Sequence, residues 1–318
     1  MKIVCLDGHT LYPVNDPVWA QFAEIADFEI YDRTSRDQIV GRATGAEIVL
    51  TNKVPFDADT IKALPALKCI CVLATGYNIV DTVAARQAGI TVCNIPAYST
   101  RSVAQQVFAL ILALNNRVED YAHRVAGGAW ASSPDFTFRI AEWSELAGKT
   151  IGIVGYGAIG QAVAAIADAF GMKVALYTSK SADVLPSHFE KMGLDDIFAA
   201  SDIVSFHCPL TADTKGMVDA RRLSLMKSSA MLINTARGPL VDEAALADAL
   251  NSGKIAAAGL DVLSSEPPAA DCPLLSAQNC YITPHIAWAS TEARQRLFAI
   301  ALSNVKAYVA GVPINVVN

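Results

Sequence analysis

One stretch constrains this chain more than any other. TIGIVGYGAIGQAVAAIADAFG (150–171) is an apolar run, a glycine-rich turn and a helix of small residues in direct succession. Gly155, Gly157 and Gly160 stand in the order G-x-G-x-x-G, which is common by chance, so the strand before and the helix after carry the weight. Gly155 permits the tight turn, Gly157 lets a phosphate approach the backbone, and Gly160 lets helix pack closely on strand. Ala158 and Ile159 complete the turn, where a helix N-terminus offers N–H groups and positive dipole to a phosphate. The stretch reads as a dinucleotide-binding βαβ unit; a glycine-rich turn that binds nothing is the competing reading.

The rest of the chain repeats the theme. Strands are expected at 2–6, 28–32, 47–51, 68–74 and 91–95, then at 150–155, 173–178, 202–208, 230–235, 256–262 and 280–283. Apolar strands alternating with helix-spaced segments predict an α/β fold with parallel sheets covered on both faces. One helical stretch over 99–128, opened by Pro96 and Ser99 and closed by Gly127-Gly128, separates the two series. The final helix, 291–311, is expected to return to the first domain. The predicted organisation is two Rossmann-like domains: a discontinuous, flavodoxin-like substrate domain (1–98 and 289–318) and a dinucleotide-binding Rossmann domain (99–288). A ligand cleft is expected between them.

Bulk properties exclude several functions. Lys and Arg number 25 against 31 Asp and Glu, a net charge of −6 with no basic cluster. That balance argues against nucleic acid, which is bound by neutralising phosphates. The longest apolar run, VFALILAL (107–114), is far short of the ~20 residues of a membrane span. MKIVCLDG reads as a first strand rather than a secretion leader. Seven cysteines, an odd number without C-x-x-C, fit a reducing compartment, so the cytoplasm is expected.

Three residues downstream of the glycine turn carry chemistry. Arg237 lies in LINTARGPLVD (232–242), Glu266 in GLDVLSSEPP (259–268) and His285 in ITPHIAWAS (282–290). A guanidinium at the C-terminal end of a strand can grip a carboxylate in bidentate fashion. An imidazole moves a proton, and a carboxylate on its other ring nitrogen favours the charged form. Beside a dinucleotide, that set is what the interconversion of a 2-keto and a 2-hydroxy acid requires. Among the other histidines, His207 could line the cofactor cleft but has no evident acid partner. No cluster has metal-ligand spacing, and neither G-x-S-x-G nor G-K-[ST] occurs. The strand at 173–178 runs into Thr178-Ser179-Lys180, with no acid until Asp183. NAD-binding units usually grip the ribose hydroxyls with an acid there. Hydroxyls and a cation suit a 2′-phosphate, so the cofactor is NAD or NADP with a lean to NADP or dual use; a solvated Lys180 is the rival reading.

At this point the sequence resembles the D-isomer-specific 2-hydroxyacid dehydrogenase family over essentially its full length. The matching segments are the dinucleotide loop, SDIVSFHCPLTADTKGMV (201–218), MLINTARGPLVDEAAL (231–246) and the surroundings of Glu266 and His285. The resemblance implies that Arg237 binds the substrate carboxylate and carbonyl oxygen, His285 is the acid/base and Glu266 its partner. It implies that Asp261 touches the nicotinamide amide, Thr235 and Ala236 border that ring, and Pro209 and Thr214 lie along the cofactor. The backbone at Thr75 and Gly76, in LATGYNIVD (73–81), would hold the other side of the substrate carboxylate. It also implies a homodimer built through the cofactor domain. Within the family, LATGYNIVD, PAYSTRSVAQ (96–105), SPDF (133–136) and HIAWAS (285–290) look most like the glycerate dehydrogenase and hydroxypyruvate reductase branch. Gln105 stands where many relatives have Glu, and Thr178 where NAD users often have Asp. Glyoxylate reductase is one alternative. D-3-phosphoglycerate dehydrogenase is another, given Lys53 and Arg101, and a cofactor-sensing binding protein is the alternative of another class.

Overall fold

A computed structural model describes residues 1–318, which fall into two compact units: Met1–Ser99 with Ser290–Asn318, and Thr100–Ala289. The first unit runs β1 (Lys2–Cys5), α1 (Ala20–Ala23), β2 (Asp27–Ile30), α2 (Ile39–Ala43), β3 (Ile48–Thr51), α3 (Ala58–Lys62), β4 (Cys69–Val72), α4 (Thr82–Gln87) and β5 (Thr91–Cys93). Its sheet is parallel, in the order β2-β1-β3-β4-β5. Every residue of the inner strands β3 and β4 is buried, which is why IVLT and CICV show no polar alternation. Asp57 and Asp81 start α3 and α4 by accepting the N–H groups of Thr60 and of Val83 and Ala84.

The second unit begins with α5 (Thr100–Asn116) and α6 (Val118–Ala126). It continues through β6 (Thr150–Val154), α7 (Ala158–Ala169), β7 (Lys173–Tyr177), β8 (Glu190–Lys191), α8 (Leu194–Ala200) and β9 (Ile203–Phe206). The remaining elements are α9 (Ala220–Leu225), β10 (Met231–Asn234), α10 (Glu243–Asn251), β11 (Ala257–Leu260) and β12 (Cys280–Ile282). Its seven-stranded sheet has the order β12-β11-β10-β9-β6-β7-β8 and is parallel throughout. From β6 the chain steps one way to β7 and β8, then crosses to β9 and continues the other way. The carboxyl ends of β6 and β9 therefore flank the switch point where such sheets bind ligands. The protein is thus α/β with two parallel sheets.

Two expectations are corrected here. The helical stretch over 99–128 is two helices, broken at Arg117, which adopts a left-handed φ of 51°. The Asn115 side chain pairs with Ser144 in both directions, Nδ2 to its carbonyl (2.8 Å) and its N–H to Oδ1 (3.3 Å), so a distant segment meets the end of α5. Strand β8 was not expected, because Glu190-Lys191 is a polar pair at a sheet edge. No helix is long and apolar enough to cross a membrane.

The last helix, α11 (Thr291–Val309), packs on the first unit's sheet. It carries a buried polar side chain, Asn304, whose Nδ2 donates to the Asn94 carbonyl (2.8 Å) and whose Oδ1 accepts Asn315 Nδ2 (2.8 Å). Asn304 thereby ties α11 and the C-terminal segment to the end of β5. Asn304→Ala leaves the buried Asn94 carbonyl and the half-buried Asn315 amide without these partners and is expected to cost about 1–3 kcal/mol. Urea unfolding of the variant checks this, and a loss below about 0.5 kcal/mol, the scatter of neutral surface changes, would contradict it.

Candidate active site

Each glycine of the turn after β6 has a geometric reason. Gly155 has φ 99°, and a Cβ there would lie 2.7 Å from the Cys208 N and the His207 carbonyl carbon, so β6 turns directly under the end of β9. A Cβ on Gly160 would collide with the Gly155 carbonyl oxygen. Gly157 caps α7 without a side-chain cap, and a Cβ there would meet nothing within 4 Å. The first-turn N–H groups of a twelve-residue helix, from exposed Ala158 and half-buried Ile159 onward, thus face open space.

At the end of β7 the Thr178 hydroxyl accepts the Lys180 N–H (3.2 Å) beside exposed Ser179. The Lys180 ammonium lies over the Tyr156 ring, 5.3 Å from its centroid, and Lys191 Nζ donates to the Lys180 carbonyl (2.6 Å). Two lysines and two hydroxyls therefore gather where an acid would otherwise stand. After β9, Thr214 Oγ1 donates to the Pro209 carbonyl (2.8 Å) and accepts the Thr211 N–H (2.8 Å), closing the 209–214 turn. His207 pairs its Nε2 with Ser205 Oγ at 2.9 Å, and burial lowers its pKa to about 3. A histidine in that state is neutral at physiological pH and lacks the imidazolium proton that a general acid gives.

Three adjacent parallel strands, β10, β11 and β12, carry the three residues singled out in the sequence. Neighbouring strands lie about 4.8 Å apart, so their carboxyl ends stand side by side. Beyond β10, buried Asn234 shapes the turn: Oδ1 accepts the Ala236 N–H (3.0 Å) and Nδ2 donates to the Arg237 carbonyl (2.8 Å). Arg237 is half-buried, with Nη1 on the Ala236 carbonyl (2.7 Å). Its neighbour Gly238 lies so close to the Leu263 carbonyl that any Cβ would collide with it. The Arg237 loop therefore rests on the loop beyond β11. There Glu266, followed by a cis peptide bond to Pro267, accepts the Leu263 N–H on Oε1 (3.1 Å). Its Oε2 meets His285 Nδ1 at 2.6 Å.

His285 itself has φ 53°, a left-handed conformation that non-glycine residues rarely hold without support. The support is Asp261. Its carbonyl accepts the His285 N–H (2.8 Å), and its carboxylate accepts Thr283 Oγ1 (2.6 Å), the Ile286 N–H (3.0 Å) and the Ala287 N–H (2.9 Å). Burial raises the pKa of Asp261, against the lowering effect of these hydrogen bonds. From α5, Ser102 Oγ donates to the Ala287 carbonyl (2.6 Å) and Gln106 Nε2 to Thr283 Oγ1 (3.3 Å), fixing both sides of the turn. This clasp is invisible to motif reading. Its one signal was a second acid, Asp261, closing β11.

Thr75 and Gly76 belong to the first unit, just past β4, where Thr75 Oγ1 donates to the Ile95 carbonyl (2.7 Å) and Asn94 Nδ2 to the Thr75 carbonyl (2.7 Å). For the dinucleotide, the fit rests on two features. The α7 N-terminus is open at Gly157, and Thr235 Oγ1 is buried without any hydrogen-bond partner in the protein. A buried hydroxyl left unpaired is uncommon and suits a site completed by a ligand. The residues present fit the group.

Comparison with known proteins agrees with this geometry. Residues 108–287 match the family model described as D-isomer specific 2-hydroxyacid dehydrogenase, NAD binding domain. The chain is 44% identical over 322 residues to a hydroxypyruvate reductase of Blautia hydrogenotrophica, covering 100% of both chains. It is 45% identical over 319 residues to a glycerate dehydrogenase of Methylorubrum extorquens, covering 99% of this chain and 98% of that one. Among solved structures, an NADPH-dependent glyoxylate/hydroxypyruvate reductase from Sinorhizobium meliloti, in complex with NADP and malonate, superposes with a TM-score of 0.86. The two are 29% identical, and the match covers 99% of this chain and 96% of that one. The chain is an NAD(P)-dependent oxidoreductase and belongs to the D-isomer specific 2-hydroxyacid dehydrogenase family.

Proposed function

We propose that the protein interconverts hydroxypyruvate and D-glycerate, with Arg237, Glu266 and His285 as its catalytic residues. The observation that carries this reading is the 2.6 Å contact of Glu266 Oε2 with His285 Nδ1. With Nδ1 engaged, Nε2 is the nitrogen that exchanges a proton. In the reductive direction the His285 imidazolium gives its Nε2 proton to the carbonyl oxygen while the Glu266 carboxylate stabilises the charged ring. Arg237 keeps guanidinium donors beyond the one spent on Ala236. It binds the substrate carboxylate and steadies negative charge developing on the reacting oxygen. When bound, the nicotinamide cofactor supplies or accepts the hydride. Gly155, Gly157, Ala158, Ile159 and Gly160 would receive its phosphates, and Thr235, Ala236, Asp261, Pro209 and Thr214 would line its length. Thr75 and Gly76 would contribute to substrate binding. The choice of hydroxypyruvate is supported by the relatives at 44–45% identity that carry that activity in their names. The absence of disulfides among the seven cysteines supports a cytoplasmic setting.

His285→Ala is expected to lower turnover with hydroxypyruvate by about 10²–10⁴-fold while leaving cofactor affinity unchanged. Steady-state rates across hydroxypyruvate, glyoxylate, pyruvate and 3-phosphohydroxypyruvate, with nucleotide titration by fluorescence, measure both. A variant with the parent rate would end the assignment, and higher kcat/KM on glyoxylate or the phosphorylated acid would move the substrate.

Thr178, Ser179, Lys180 and Lys191 support NADP use, because two cations and two hydroxyls suit a 2′-phosphate better than ribose hydroxyls alone. Lys180→Ala should raise KM for NADPH about fivefold, roughly the 1 kcal/mol of an exposed charge contact, and leave KM for NADH unchanged. An equal effect on both cofactors would make Lys180 a bystander.

The reading includes a homodimer. Helix α6 buries none of its residues, and Val118, Val125, Trp130, Phe136 and Trp143 are all exposed, Phe136 at 89%. Apolar surface gathered in this way marks an interface. Sedimentation velocity should give twice the chain mass, with Trp130→Glu and Phe136→Glu together lowering it; a single-chain mass for the parent protein would remove the dimer from the account.

A further inference from the structure

Glu243 lies within the 231–246 segment, yet no role has been given to it so far. It is the first residue of α10, directly after Asp242, whose own side chain already caps the helix by accepting the Ala244 and Ala245 N–H groups. The Glu243 carboxylate turns elsewhere. Oε1 accepts the Ser264 N–H at 2.6 Å, and Oε2 faces Cys272 Sγ at 3.7 Å. Ser264 and Cys272 bracket the loop that carries Glu266. Between them, residues 264–271 are all exposed, so no apolar burial holds this segment in place. Its internal ties are Ser265 Oγ to the Pro267 carbonyl (3.1 Å) and the Cys272 N–H to the Ala269 carbonyl (3.0 Å).

We propose that Glu243 is a positioning residue for proton transfer: one carboxylate fastens both ends of the 264–272 loop and so sets Glu266 against His285. This rests on the reading of Glu266 and His285 as the acid/base pair. The hydrogen bond at risk is short and leaves little slack. Displacing a catalytic group by about 1 Å costs on the order of 10²-fold in rate. Glu243 touches neither substrate nor cofactor in this scheme; it acts through Ser264 and Cys272.

The test separates positioning from helix stability. Glu243→Asp keeps the negative charge at the α10 N-terminus but is one methylene too short to reach Ser264. Glu243→Gln keeps the reach and one carbonyl oxygen. Glu243→Ala and Glu243→Asp should lower kcat about 10-fold or more, consistent with a displacement well under 1 Å, with KM for hydroxypyruvate and cofactor affinity within threefold. Glu243→Gln should restore most of the rate. In a Glu266→Gln background, Glu243→Ala should add little, since both act through one contact. A full rate in Glu243→Ala, additivity with Glu266→Gln, or a Glu243→Gln variant as slow as Glu243→Ala would overturn the proposal. The two claims fail separately: an active His285→Ala defeats the acid/base reading itself, whereas an inactive His285→Ala beside a fully active Glu243→Ala defeats only the role of Glu243.

Discussion

The buried carboxylate of Asp261 is the constraint on which the rest of the site depends. It closes β11 and gathers Thr283, Ile286 and Ala287 around a histidine whose backbone is left-handed. Such a conformation costs about 1–3 kcal/mol. Hydrogen bonds to a charged group contribute about 1.5–3 kcal/mol each, so three of them exceed the strain. With the turn held, His285 Nδ1 has a fixed place, and a 2.6 Å hydrogen bond to Glu266 becomes a stable arrangement. Without the clasp, the imidazole would relax with its backbone.

The parallel sheet turns these local bonds into a site. Three successive strands deliver Arg237, Glu266 and His285 to one edge, and Gly238 lets the first loop lie on the second. At the switch point between β6 and β9, Gly155 and Gly160 remove the side chains that would keep strand, turn and helix apart. The glycine turn and the three residues proposed for catalysis thus lie beyond the carboxyl ends of strands of one seven-stranded sheet. The pKa of about 3 for His207 is part of the same logic. Burial keeps that histidine neutral, whereas His285 has the carboxylate partner that the proposed proton carrier requires.

Legibility in the sequence follows the range of the forces involved. Strands β3 and β4 were readable because burial on both faces demands unbroken apolar runs. The nucleotide turn was readable because a steric requirement at three positions leaves three glycines. Strand β8 was not, since a polar pair at a sheet edge is defined by its neighbour β7 rather than by its own residues. Nor was the break at Arg117, where Asn115 meets Ser144, 29 residues away in the chain. At the site, residue types and their contexts singled out Arg237, Glu266 and His285. The supporting bonds from Asp261, Ser102, Gln106 and Glu243 join segments distant in the chain; apart from Asp261, an acid closing β11, nothing in their local patterns marks these residues as supports. Chemistry-bearing residues announce themselves by type; the residues that hold them in place do so only through contacts.

The central claim is that the Glu266 carboxylate, bonded to His285 Nδ1, sets the ring for proton delivery from Nε2. Single-turnover reduction of hydroxypyruvate, followed by stopped-flow from pH 5 to 9 in the parent protein and in Glu266→Gln, reads that step apart from product release. The account predicts that hydride transfer in the variant is slowed throughout the neutral range. Equal single-turnover rates in the two proteins would contradict it.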